Sequence, residues 1–168
     1  MKLVRWILGV GCAIGIASSV HAHELREGDL ESTGILLKRF YQTAPSPANL
    51  SGVKMTGPQT CLFMQLISSG EIESRLKEVM NLLRLQIILK NDEDAYLLGR
   101  FSRERFREIS AKLKEQAGNA DIVESTPACR KMKGWARKLG NLARDSSRTV
   151  DELASRLPPD AANSVPRP

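Results

Sequence analysis

The placing of the cysteines restricts the fold of this chain more than any other feature. Of the three, Cys12 falls inside an apolar leader, so only Cys61 and Cys129 remain for the body of the chain. They bracket the stretch from Ser68 to Gly118, which carries much of the apolar content, from Ile72, Leu76 and Val79 through Leu97 and Phe101 to Ile109 and Leu113. A bridge between them closes a loop of about 69 residues, worth roughly 4 kcal/mol in the chain-entropy picture. It would also draw the flanking segments against that stretch. A stable bridge requires an oxidising compartment, and a pair of free thiols is the alternative.

The first 22 residues supply the compartment. Lys2 and Arg5 form a basic start, Trp6 to Ile16 an apolar run, and Val20-His21-Ala22 a small-residue cleavage site, the three parts of a secretory signal. Cleavage after Ala22 is the expectation, with cleavage after Ser19 as the alternative. A lipid anchor on Cys12 is disfavoured, because Gly9 stands where such signals carry leucine. The apolar run is shorter than the roughly 20 residues of a membrane span, and no second run follows. These features predict a bacterial protein that is periplasmic or secreted, and not an integral membrane protein. Its single domain is expected over residues 23–157, followed by a disordered proline-rich tail at 158–168.

Hydrophobic spacing predicts an all-α fold, a disulfide-linked bundle of about five helices. His23 to Ala44 has an acidic start, then Leu36 and Phe40, and Leu37 and Tyr41, at four-residue spacing, which describes an amphipathic helix. Pro45 to Gly57 has loop composition. Gly57-Pro58 opens a second helix. Ser68-Ser69-Gly70 then marks a break, with Ser68 and Glu71 as a capping box and Ile67 and Ile72 as its hydrophobic staple. Ile72, Leu76, Val79 and Leu83 continue at helical spacing.

Between residues 83 and 101 two readings compete. Leu83, Leu85, Ile87 and Leu89 alternate with polar residues, which is strand spacing, and a hairpin around Asn91 to Asp94 gives an α+β alternative. The residue types favour helix, and the acidic cluster Asp92-Glu93-Asp94 suits a helix N-terminus. Ser102 is read as the cap of a helix closed by Gly118-Asn119. Thr126-Pro127 opens the last long helix, and Thr149 with Glu152 forms a capping box for a short final one.

That last long helix holds the candidate site. Cys129, Met132, Trp135, Ala136, Leu139, Leu142 and Ala143 fall on one apolar arc at 100° per residue. Arg130, Lys133, Arg137, Arg144 and Arg148 gather opposite, with Lys131 and Lys138 farther round and only Asp145 close by in sequence. Five cations in a line attract phosphate or carboxylate groups. The competing reading is a solvated face whose charges pair with Glu24 to Glu31 or Asp92 to Asp94.

Histidine occurs only at positions 21 and 23. A new N-terminus at His23 has an amine and an imidazole that can chelate copper. No further histidine completes such a site, and a frayed terminus is favoured. The chain has no Ser-His-Asp or Cys-His set, no metalloprotease motif, no phosphate-cradling glycine loop and no haem attachment motif. Cys61 and Cys129 are not in a Cys-x-x-Cys arrangement, which speaks against redox exchange. Glu71 and Glu78, or Glu104 and Glu108, share helix faces, but interleaved arginines and lysines mark them as ion-paired surface. A hydrolase working through carboxylates alone is the least favoured reading.

No catalytic residues, cofactor or metal ligands are therefore assigned. The expected role is non-catalytic: an accessory, adaptor or chaperone-like subunit that binds another envelope protein. The alternative is direct binding of an anionic surface or polymer through residues 127–148. Nucleic acid is the weakest candidate there. The net charge is only +6, or +4 without the leader, and aromatics make up 5% of the chain, too few for a base-stacking platform.

Overall fold

The computed structural model describes residues 25–43, 59–89 and 95–157. The leader and its cleavage site, Cys12, His23, the Gly57-Pro58 helix start, the acidic cluster 92–94 and the tail 158–168 lie outside the described residues.

The protein is all-α. Four helices follow one another: α1 (Glu27–Thr43), α2 (Gln59–Ile88), α3 (Ala95–Ser125) and α4 (Lys133–Arg156), with a 3-10 segment (Pro127–Met132) leading into α4. Lys114 pairs with Asp151, and Asp121 with Arg144, so numbers rise along α3 as they fall along α4. Glu78 pairs with Arg105 and Gln86 bonds to Ser102, which sets α2 antiparallel to α3. Asp29 pairs with Arg156, and Arg39 with Asp145, which sets α1 antiparallel to α4. The result is an up-down-up-down bundle.

All four helices feed one core. Leu36 and Phe40 of α1, Ile72, Leu76, Val79 and Leu83 of α2, Phe106, Ile109 and Leu113 of α3, and Leu139, Leu142, Val150 and Leu153 of α4 are buried in a single cluster. The helical spacings on α1 and α2 thus carry core positions, as expected. A smaller cluster of Cys61, Val123, Cys129 and Ala136 closes the far end. There Cys61 and Cys129 are bonded, with Cα atoms 5.7 Å apart, inside the usual range for a disulfide.

Several boundaries differ from the expectation of about five helices. Ser68-Ser69-Gly70 does not break α2, which runs unbroken from Gln59 to Ile88. Ser68 and Ser69 are buried inside it. The hairpin reading of residues 83–101 fails: α2 stays helical to Ile88, α3 is helical from Ala95, and no strand occurs among the described residues. Ser102 is not a cap. It lies buried within α3, its hydroxyl accepting a bond from the Gln86 amide at 3.0 Å.

Gly118-Asn119 does not end α3, because the turn beyond it buries Ala120 and Val123. Thr126-Pro127 opens a 3-10 segment rather than the α-helix itself, and the Thr126 hydroxyl turns back to the Ile122 carbonyl. Thr149 likewise bonds the Asp145 carbonyl within α4 instead of capping a new helix. In each case a local capping preference worth about 1 kcal/mol yields to burial of a continuous apolar face.

Gly140 has a packing role. A Cβ placed there would lie 3.1 Å from the Ala120 Cβ and 3.3 Å from an Arg144 guanidinium nitrogen. With Ala117, Ala120, Ala136 and Ala143, it lets α3 and α4 approach closely.

Candidate functional site

The basic face of residues 130–148 divides into two parts. Arg137 reaches Glu124 at 2.6 Å and Arg144 reaches Asp121 at 2.9 Å, both acids on α3, while Arg148 lies 3.7 Å from Asp145. For Arg137 and Arg144 the neutralising carboxylates therefore come from α3, while Glu24 and Asp92 to Asp94 lie outside the described residues. Asp145 also holds Arg39 of α1 at 3.0 Å. Arg130 and Lys133, together with Lys131 and Lys138, are exposed. Among the described residues none of these four side chains has an ion-pair partner. On the apolar side, Cys129, Ala136, Leu139, Leu142 and Ala143 are buried, and Met132 and Trp135 half-buried.

A second set of charges lies along the α2–α3 face. Arg75 bonds Glu71 and Glu78, and Arg105 bonds Glu78 and Glu108. A groove of about 320 Å³ runs over them, lined by Arg75, Arg105, Glu108, Ile109, Ala111 and Lys112. Partial burial pushes the Glu78 carboxyl up, but hydrogen bonds from Arg105 and Arg75 outweigh it and hold the pKa below the usual carboxylate range. A general acid requires the opposite shift. Glu71, Glu78 and Glu108 are thus links in an ion-pair ladder between two helices. Among the described residues no cluster of three or more His, Cys, Asp or Glu side chains is placed to hold a metal ion.

The least expected feature is the free end of the α2–α3 hairpin. Arg103 donates to the Leu157 carbonyl at 3.1 Å, so the residue that caps the end of α4 stands level with Arg103. The stretch Ala95 to Ser102 of α3 lies beyond it, about 12 Å of helix at 1.5 Å per residue. The Asp29–Arg156 pair places the start of α1 at that same level. The hairpin therefore projects past both helices that cover it elsewhere.

Its projecting part is apolar. Leu85 and Ile88 on α2 are 45% and 74% exposed, and Tyr96, Leu97 and Phe101 on α3 are 50%, 60% and 59% exposed. Leu97 and Phe101 share a face at four-residue spacing. Leu85 and Phe101 each adjoin a member of the bonded Gln86–Ser102 pair, and so lie at one level of the hairpin. Leu85, Ile88, Leu97 and Phe101 belong to the apolar content of the central stretch that the sequence marks out. The structure leaves them uncovered, because a core position also requires a partner helix that reaches it. Taking roughly 150–250 Å² for a whole large side chain, the five expose about 500 Å², at the upper end of what monomers show as a contiguous patch.

No helix among the described residues is long and apolar enough to cross a membrane. No protein-family model, curated protein or solved structure matches the chain.

Proposed function

We propose that this is an exported, non-catalytic accessory or adaptor subunit that docks its α2–α3 hairpin tip into an apolar groove of another envelope protein. The observation that carries the reading is the tip: five large apolar side chains, 45% to 74% exposed, on a helical hairpin that projects beyond α1 and α4. Leaving them in water is costly, at about 25 cal/mol per Å² of apolar surface, and a partner that covers them recovers that cost. Helix pairs that present apolar ridges at three- and four-residue spacing are bound by grooves of matching shape. The Cys61–Cys129 bridge supports the exported setting, since disulfides persist in oxidising compartments.

The test is capture of the tagged chain, expressed with its own leader, from envelope extracts in high salt. An apolar contact survives salt that screens charges. Leu97→Ser with Phe101→Ser removes the tip's apolar face while leaving the core untouched, so the variant should keep its melting temperature and lose the captured partner. A double variant that captures the same partner as strongly as the wild type would refute the tip as the docking surface.

A further inference from the structure

The end of the bundle opposite the hairpin tip has a different chemistry. Of the seven cations between residues 130 and 148, Arg137, Arg144 and Arg148 lie against carboxylates. Arg130 and Lys131 on the 3-10 segment, and Lys133 and Lys138 on the first turns of α4, are exposed and have no partner among the described residues. Asp121 and Glu124, the carboxylates in the last turns of α3, are already engaged by Arg144 and Arg137. The adjoining part of α2, residues 59–70, carries no charged residue at all. Four unneutralised cations therefore cluster at the disulfide end.

The same end exposes aliphatic surface. Leu66 and Ile67 on α2 and Ile122 on α3 are each more than a third exposed. α1 leaves this part of α2 bare, because the Tyr41–Glu73 bond shows its last turn stopping at the level of Glu73.

We infer that the disulfide end is a docking surface for anionic lipid headgroups, with Arg130, Lys131, Lys133 and Lys138 as the contacting cations. Basic residues near a negatively charged leaflet each add to its attraction, and aliphatic side chains among them enter the interfacial region where a polar polymer offers nothing to cover them. Leu66, Ile67 and Ile122 at this end are aliphatic, whereas single-stranded nucleic acid is held largely by aromatic stacking. The cations also cluster at one end of the bundle. A flat surface can meet such an end cap in one contact, whereas a nucleic-acid backbone is tracked by charges spread along a groove. Partner docking at the tip and lipid docking at the far end leave each other's surfaces free.

The experiment is co-sedimentation of the purified protein with phosphatidylglycerol-containing vesicles, with pure phosphatidylcholine vesicles, and with duplex DNA, each across a salt series. Three proteins are compared: the wild type, Lys131→Glu with Lys133→Glu, and Lys38→Glu with Arg84→Glu. The last makes the same charge change on exposed cations elsewhere in the fold. The expected result is binding to the phosphatidylglycerol vesicles that fades towards high salt. It should weaken at least about thirtyfold in the Lys131/Lys133 variant, at roughly five- to sixfold per lost cation, and stay within about threefold in the Lys38/Arg84 variant. Equal binding to both vesicle types, tighter binding to DNA, or equal losses in the two variants would each overturn the inference.

Discussion

Removing the disulfide should cost more than any single substitution in the core. Cys61 and Cys129 are 68 positions apart, and closing a loop of that length lowers the entropy of the unfolded chain by about 4 kcal/mol. The location adds to the effect. Beyond the reach of α1, the first turns of α2 are held by a small cluster, Cys61 with Val123, Cys129 and Ala136, and loss of the sulfur atoms weakens that packing by about 1 kcal/mol. Cys61→Ala with Cys129→Ala avoids both a stray thiol and a buried hydroxyl. Urea unfolding of this variant against the oxidised wild type should show a midpoint lower by about 2 M and a steeper slope, because the unlinked unfolded chain exposes more surface. In a thermal scan the difference corresponds to about 15 °C for a domain of this size. Native-state hydrogen exchange should rise most at residues 61–70 and 129–138, while the core turns around Leu76 and Leu113 follow global unfolding. A variant within about 1 kcal/mol of the oxidised wild type, with an unchanged slope, would refute the bridge as the staple of this end.

Three further outcomes follow from the interior and its ion pairs. Gln65 is fully buried and neither amide atom has a hydrogen-bond partner among the described residues; Gln65→Met should stabilise by about 1–2 kcal/mol in urea, and a loss of stability would show that the amide is satisfied in solution. Gly140→Leu should destabilise by about 1–3 kcal/mol through overpacking against Ala120, and a neutral melt would mean that α3 and α4 are not held at this distance. Burial raises the carboxyls of Glu78 and Asp151, yet bonds from Arg105 and Arg75, and from Lys114 and Ser110, leave both below their ordinary values. Their stabilisation is present above the unfolded pKa and lost as pH falls through the folded one. Stability should therefore fall below about pH 4, and Glu78→Gln with Asp151→Asn should flatten that fall.

Much of the core was legible because burial repeats at helical spacing. Leu36 and Phe40, and the run Ile72, Leu76, Val79 and Leu83, read as one face and are buried as one face. The cysteine pair was legible by elimination, with one cysteine left on each side of the apolar stretch. Helix boundaries were less legible, because Ser68, Ser102 and Thr149 carry capping chemistry, whereas in the fold Ser68 is buried within α2, Ser102 accepts a bond from Gln86 of α2, and Thr149 bonds within α4.

The basic stripe was readable as a pattern on one helix. Its neutralisation was not, since Asp121 and Glu124 meet it only through the register of α3 against α4. The tip was hidden for a related reason. Leu97 and Phe101 have the spacing of a core face, and only the level at which α4 stops, set by the contact between Arg103 and Leu157, leaves them exposed. Periodicity reports which residues share a face. It does not report whether another helix reaches that face.

Site-specific photo-cross-linking in the native envelope tests the hairpin tip as a contact surface most directly. A photoreactive residue at Leu97 should give one discrete adduct that survives high salt, while the same residue at Lys112, exposed lower on α3, should give none. Equal labelling from both positions, or no adduct from Leu97, would contradict the proposal that this tip docks a partner.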